Sequence, residues 1–109
     1  MKVSEVTQKL GLKVITLPSP DREIHGGYVG DLLSWVMGRA GEDNAWVTIM
    51  SNINIVAVAS LADVSCVILA EGVTIDNEVI ETAESKGVNI LASDLPAFDI
   101  CVSIADIIK

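Results

Sequence analysis

The sequence predicts an α/β fold, a two-layer or three-layer sandwich built on a mostly parallel sheet of four to five strands. Three observations carry this expectation. From Ala45 onward the chain alternates short apolar, β-branched runs with helical segments in the order β-α-β-α-β-α, and helical crossovers join parallel strands. The run Cys66 to Ala70 is apolar without interruption, as suits a strand covered on both faces. Half of the 109 residues are apolar and only 20% are charged. That is enough for one hydrophobic core without staples, and it is inconsistent with disorder. A single domain over residues 1–109 is expected.

Each element follows from local pattern. Val3, Val6 and Leu10 recur at i, i+3 and i+7, which reads as a short helix with Ser4 as its cap and Gly11 as its stop. Lys13 to Leu17 reads as a strand closed by Pro18-Ser19-Pro20, and Glu23 to Val29 as a second strand loosened by Gly26 and Gly27. Asp31 stands where it would cap a helix whose Leu32, Leu33, Trp35, Val36 and Met37 make a wide apolar face, and residues 38–44 read as a turn. Ala45 to Met50 is a strand. Ser51 or Asn52 caps the helix after it, with Ile53, Val56, Ala57, Ser60 and Leu61 as the inward stripe, although β-branched residues there disfavour helix. Ser65 to Ala70 is the next strand, ending at Glu71-Gly72. Thr74 or Asp76 opens a helix with Val79, Ile80 and Ala83 inward, closed by Lys86-Gly87. Val88 to Ala92 is the final strand. Ser93-Asp94-Leu95-Pro96 opens a last helix with Phe98, Cys101, Val102, Ala105 and Ile108 on one face.

Fifteen Asp and Glu against seven Lys and Arg leave a net charge of -8. Nucleic acid and anionic membrane demand a basic face, so neither is expected as a partner. Asn44 to Ala62 carries no charge and is long enough to span a bilayer. Thr48, Ser51, Asn52, Asn54 and Ser60 put polar groups through its middle, however, and its flanks, Asp43 and Asp63, are acidic rather than basic. No apolar segment follows Met1-Lys2-Val3-Ser4-Glu5, so no secretory signal is expected. The chain is expected in the cytoplasm, with Cys66 and Cys101 as free thiols.

Both G-x-x-x-x-G-K-[ST] and G-x-G-x-x-G are absent, which argues against kinase or nucleotide-hydrolysing chemistry. No cofactor and no metal are expected, because the cysteines form no C-x-x-C and His25 is the one histidine. The glycine-rich Gly26-Gly27-Tyr28-Val29-Gly30 precedes a helix, where phosphates bind. A carboxylate at that cap, Asp31, would repel an anion, and a close backbone crossing followed by a well-capped helix is the better account of the glycines. A better candidate comes from topology, since ligands of open α/β sheets bind beyond the carboxyl ends of the strands. Those ends carry Ser51, Asn52 and Asn54, then Glu71 and Gly72, then Ser93 and Asp94, and Gly30 and Asp31 of the glycine-rich stretch are ligand-binding candidates with them. Helix capping alone would also place such residues there.

The blocks Gly26 to Ser34, Trp46-Val47-Thr48-Ile49, Asn54 to Leu61 and Val67 to Gly72 resemble the free-standing DRTGG-domain proteins. The namesake letters are partly present. Leu32 rather than arginine follows Asp31, and Ala70-Glu71-Gly72 stands where Thr-Gly-Gly would. The resemblance implies an α/β domain similar to the N-terminal domain of HPr kinase, and to a module inside phosphotransacetylases and CBS-domain pyrophosphatases. It implies a regulatory and dimeric role, without the kinase activity, which belongs to a P-loop domain. The leading expectation is a non-enzymatic regulatory or ligand-sensing domain that binds a nucleotide or small metabolite at the strand ends. One alternative is an adaptor that binds a protein partner and no small ligand. Another is a small enzyme using paired carboxylates among Asp31, Glu71 and Asp94. A homodimer is also expected from composition, because a short chain so rich in apolar residues has surface to hide. Tyr28, Trp35 and Met37 are the expected contributors.

Overall fold

A computed structural model describes residues 1–108. The elements in chain order are α1 (Val3–Leu10), β1 (Lys13–Thr16), β2 (Gly27–Val29), α2 (Leu33–Arg39), β3 (Ala45–Thr48), α3 (Asn54–Ala62), β4 (Cys66–Leu69), α4 (Asn77–Lys86), β5 (Ile90–Ala92) and α5 (Ala97–Ile107). The strands form one sheet in the order β1-β5-β4-β3-β2. The pairs β2–β3, β3–β4 and β4–β5 are parallel. β1 runs antiparallel to β5, with a bulge between Val14 and Thr16.

The sheet steps in one direction from β2 to β5, so right-handed crossovers put α2, α3 and α4 on one face. Alternate side chains then serve two cores. Trp46, Val67, Leu69 and Ile90 pack with Val36, Ile55, Ala59, Val79 and Ala83 on that face. Ala45, Val47, Cys66, Ile68 and Leu91 pack on the other with Val3 and Val6 of α1 and Ile100 and Ile104 of α5. The result is a three-layer sandwich. All four residues of β3 and of β4 are buried, as double coverage requires.

Several boundaries and faces differ from the sequence reading, each for a local reason. Ser4 does not cap α1. Lys2 holds the cap position, and its backbone N–H donates to the Glu5 carboxylate at 2.9 Å, the reaching-back half of a capping box. The second strand shrinks from Glu23–Val29 to Gly27–Val29, because Gly26 turns to a φ of 78°. Asp31 does not cap α2 and is exposed. Gly30 is still tied to β3, donating its N–H to the Val47 carbonyl at 3.1 Å and accepting the Trp46 indole N–H at 2.9 Å. The helix therefore starts later, with Leu32 at the cap position and no side-chain cap.

The expected inward faces of three helices are also corrected. In α2 only Val36 is fully buried; Leu32, Trp35 and Met37 are exposed, with the Arg39 guanidinium 3.8 Å above the Trp35 ring. In α3 the core side is Ile55, Val56, Val58 and Ala59, while Ile53, Ala57, Ser60 and Leu61 face out. In α5 the core side is Ile100 and Ile104, while Phe98, Val102 and Ala105 face out. Both α3 and α5 are apolar nearly all round, so periodicity does not decide their rotation.

The amino-terminal edge of the sheet is held by side-chain hydrogen bonds. Asn89, buried, accepts the Ser19 N–H at 2.8 Å and donates to the carbonyls of Ser19 and Ser65 at 2.8 and 2.9 Å. Arg22 pairs with Asp43 and Asp63 at 3.0 and 2.8 Å. Partial burial works against the Arg22 charge, but the bonds to Asp43 and Asp63 outweigh it and raise its pKa.

Candidate functional site

β4 leads into residues 70–76 and α4 on one face, whereas the neighbouring β5 leads through residues 93–96 to α5 on the other. Adjacent strands whose exits diverge make the crevice in which α/β sheets take ligands. Here the two exits are tied together. Glu71 N–H donates to the Leu95 carbonyl at 2.9 Å, and Gly72 N–H to the Ser93 carbonyl at 3.0 Å. The tie requires left-handed backbone at both Glu71 and Gly72, with φ of 63° and 72°. A side chain at Gly72 would put its Cβ 3.2 Å from the Asp94 carboxylate.

Open space lies beside this tie, toward β1. A cleft of about 560 Å³ is bounded by the Lys13 end of β1, residues 72–75, Ile80 of α4 and residues 92–95. Its walls carry Leu10, Ile15, Ile75, Ile80 and Leu95, and its polar groups are Lys13, Thr74, Ser93 and Asp94. The antiparallel course of β1 puts Lys13 opposite Ala92, at the carboxyl end of β5. Lys13 makes no ion pair among the described residues. The Ser93 hydroxyl accepts the Leu95 N–H at 3.1 Å, which fixes the loop that walls the cleft.

The residues expected at the strand ends fall in different places. Gly72 and Ser93 line the cleft, and Glu71 is exposed next to it. Gly30 is occupied by its bonds to β3, and Asp31, Ser51 and Asn52 are exposed along the β2–β3 part of the same edge. The Asn52 side chain accepts the Asn54 N–H at 2.9 Å, a local turn bond at the start of α3. Asn54 itself borders a separate groove between α3 and α4, with Thr82 and Lys86. Lys13 and Thr74 were not anticipated. Nothing in the β1 pattern tells that this strand runs antiparallel, and that direction alone brings Lys13 to the edge.

A second hollow, about 490 Å³, lies between β2 and α5 and is lined by Gly27, Val29, Val47, Cys101, Ile104 and Ala105 among others. Among the described residues no charged side chain lines it. Cys101 borders it, and partial burial raises the pKa of that thiol. Full burial pushes the Cys66 thiol up to about 12. Neither cysteine is a thiolate near neutral pH, so neither is poised as a nucleophile. Among the described residues no group of three or more His, Cys, Asp or Glu could hold a metal ion. No described helix is long and apolar enough to cross a membrane.

The profile of the DRTGG domain matches residues 30–107. Among solved structures, the chain is similar to the CBS and DRTGG domains of the regulatory region of a Clostridium perfringens pyrophosphatase, complexed with its activator diadenosine tetraphosphate. The TM-score is 0.75 at 15% identity, over 94% of this chain and 45% of that one. At that identity the likeness is one of fold, and this chain spans less than half of the pyrophosphatase fragment. No curated protein matches the sequence.

Proposed function

The chain belongs to the DRTGG domain family, and from that premise we propose that it is a non-catalytic regulatory domain that senses a small ligand at the carboxyl end of its sheet. The observation that carries this reading is the cleft in which an apolar wall meets Lys13, Thr74, Ser93 and Asp94. Such a site suits a molecule with a flat or apolar body and an anionic end, which includes nucleotides. The related pyrophosphatase region is activated by a nucleotide, and this supports the same ligand class. A carboxylate that works as general acid or base needs its pKa lifted by burial. Asp31, Glu71 and Asp94 are all exposed, so the enzyme reading has little support. Free thiols at Cys66 and Cys101 fit a reducing cytoplasm. Exposed large side chains such as Trp35 and Phe98 favour a homodimer over a solitary chain.

The test is a thermal-shift and calorimetry screen over nucleotides and anionic metabolites. A binder at a hundredfold excess over its Kd stabilises the fold by about 2.7 kcal/mol. Lys13→Ala should weaken an anionic hit at least about tenfold while leaving the unfolding midpoint of the free protein unchanged. Hits that ignore Lys13→Ala and Ile80→Asp alike would remove the cleft as the site. A silent screen combined with a stoichiometric protein partner would replace ligand sensing by the adaptor reading.

A further inference from the structure

The cleft beside β1 carries two opposite charges. Lys13 and Asp94 both line it, yet neither makes an ion pair among the described residues. Lys13 stands opposite Ala92, two residues before Asp94, so both belong to the carboxyl end of β5. The Asp94 carboxylate lies against the bare backbone of Gly72, where a Cβ would stand 3.2 Å from its Oδ1. The Ser93 hydroxyl oxygen accepts the Leu95 N–H and keeps its own O–H to donate.

These groups divide the cleft chemically. An anion is drawn to Lys13 and repelled by Asp94, so the anionic end of a ligand lies at Lys13 and its other end at Asp94. An ionised carboxylate only accepts hydrogen bonds, and a group that meets Asp94 must present donors. Ile75, Ile80 and Leu95 on the walls suit the faces of a ring. The purine bases differ at the edge. Guanine carries adjacent donors, N1–H and the 2-amino group, beside its O6 acceptor. Adenine sets its 6-amino donor next to N1, a lone pair that a carboxylate repels. A carboxylate with a hydroxyl beside it is therefore complementary to guanine and mismatched to adenine. Among the described residues Lys13 is the one cation lining the cleft. In a chain of net charge -8 it balances one phosphate better than a string of them.

From this arrangement we infer that the cleft selects a guanine nucleoside monophosphate, with the phosphate at Lys13 and the N1–H and 2-amino edge of the base donating to Asp94. The inference rests on the ligand-sensing reading above and names its ligand. The cleft volume of about 560 Å³ falls within the roughly 300–1,000 Å³ of small-molecule sites. Parallel bonds to a carboxylate are charge-assisted. When the wrong base enters, the carboxylate faces a lone pair instead of a donor, and that mismatch is the source of the selectivity.

Calorimetric titration of the full chain with guanosine, adenosine, inosine and xanthosine monophosphates tests the inference, with circular dichroism confirming the fold of each variant. The wild type should bind guanosine monophosphate at least about tenfold more tightly than adenosine monophosphate. Inosine monophosphate keeps N1–H and lacks the 2-amino group, so it should fall between them. Asp94→Asn is the discriminating variant. Its carboxamide accepts from N1–H and donates to the 2-oxo group of xanthine, so xanthosine monophosphate should overtake guanosine monophosphate by about tenfold. Loss of a negative charge alone would strengthen all four nucleotides together and leave their order intact. Equal affinities for guanosine and adenosine monophosphates, an unchanged order in Asp94→Asn, or no binding of any of the four would each overturn the inference. The ligand-sensing reading would survive any of these if another anion binds in a way that depends on Lys13, and it would fall with a screen silent to every anion.

Discussion

Cys66 allows the packing of the core to be tested by pH. Its side chain is fully buried in the layer beneath α1 and α5, and burial lifts the thiol from 9.0 to about 12. A raised pKa on an acid favours the neutral form in the folded state. The associated stability is complete below pH 9 and drains away as the pH climbs toward 12. At pH 10 the unfolded thiol is mostly ionised and the folded thiol is not, a difference of about 1.4 kcal/mol. Cys66→Ala has no thiol to ionise, though it leaves a small void that costs about 1–2 kcal/mol at pH 7. Urea unfolding at pH 7 and pH 10, with Cys101→Ser in both proteins, should show the stability gap between the Cys66 chain and its Cys66→Ala variant shrinking by about 1.4 kcal/mol. An unchanged gap would mean that water reaches the sulfur and that the layer is looser than described.

Three further outcomes follow from contacts already given. Asn89→Ala breaks three hydrogen bonds and leaves part-buried Ser19 groups and a buried Ser65 carbonyl unpaired, so chemical denaturation should report a loss of about 2–3 kcal/mol; a loss under about 1 kcal/mol would show that water replaces the amide. Gly72→Ala meets both a left-handed φ and the Asp94 carboxylate, whereas Gly11→Ala meets a left-handed φ in open space. The first should therefore cost more than the second, whose penalty is about 1 kcal/mol, and equal losses would show that Asp94 moves aside freely. Trp46→Phe strands the Gly30 carbonyl and opens a void, for about 2–3 kcal/mol by thermal or urea unfolding.

Much of the fold was legible because local chemistry and burial agree. Gly87 closes α4 at a φ of 73° as its residue type suggests, and Asp76 holds the opening position, though its side chain makes no cap hydrogen bond. The apolar run 66–70 is a central strand buried on both faces. The rotation of α3 and α5 was not legible. Ile53, Ala57 and Leu61 are as apolar as Ile55, Val58 and Ala59, and Phe98 and Val102 as apolar as Ile100 and Ile104. A helix with two apolar stripes needs its neighbours to choose between them. The strand-end rule located the edge on which the cleft opens, through Gly72 and Ser93, and missed Lys13 because strand direction is a long-range property. Asp31 illustrates the opposite failure. A good capping residue stays idle when Gly30 is still bonded to the sheet.

The bulge in β1 bears on how far any association could extend. A sheet has two rims, and a protein bare at both would add copies without end, as fibres do. On the rim opposite β2, the register slips between Val14 and Thr16 and an exposed Lys13 stands at its head. A kink and a cation make a poor template for another strand. An association along the β2 rim would leave only this rim free. Such an association would therefore close at two subunits, because the β1 rim offers no template on which further copies could grow.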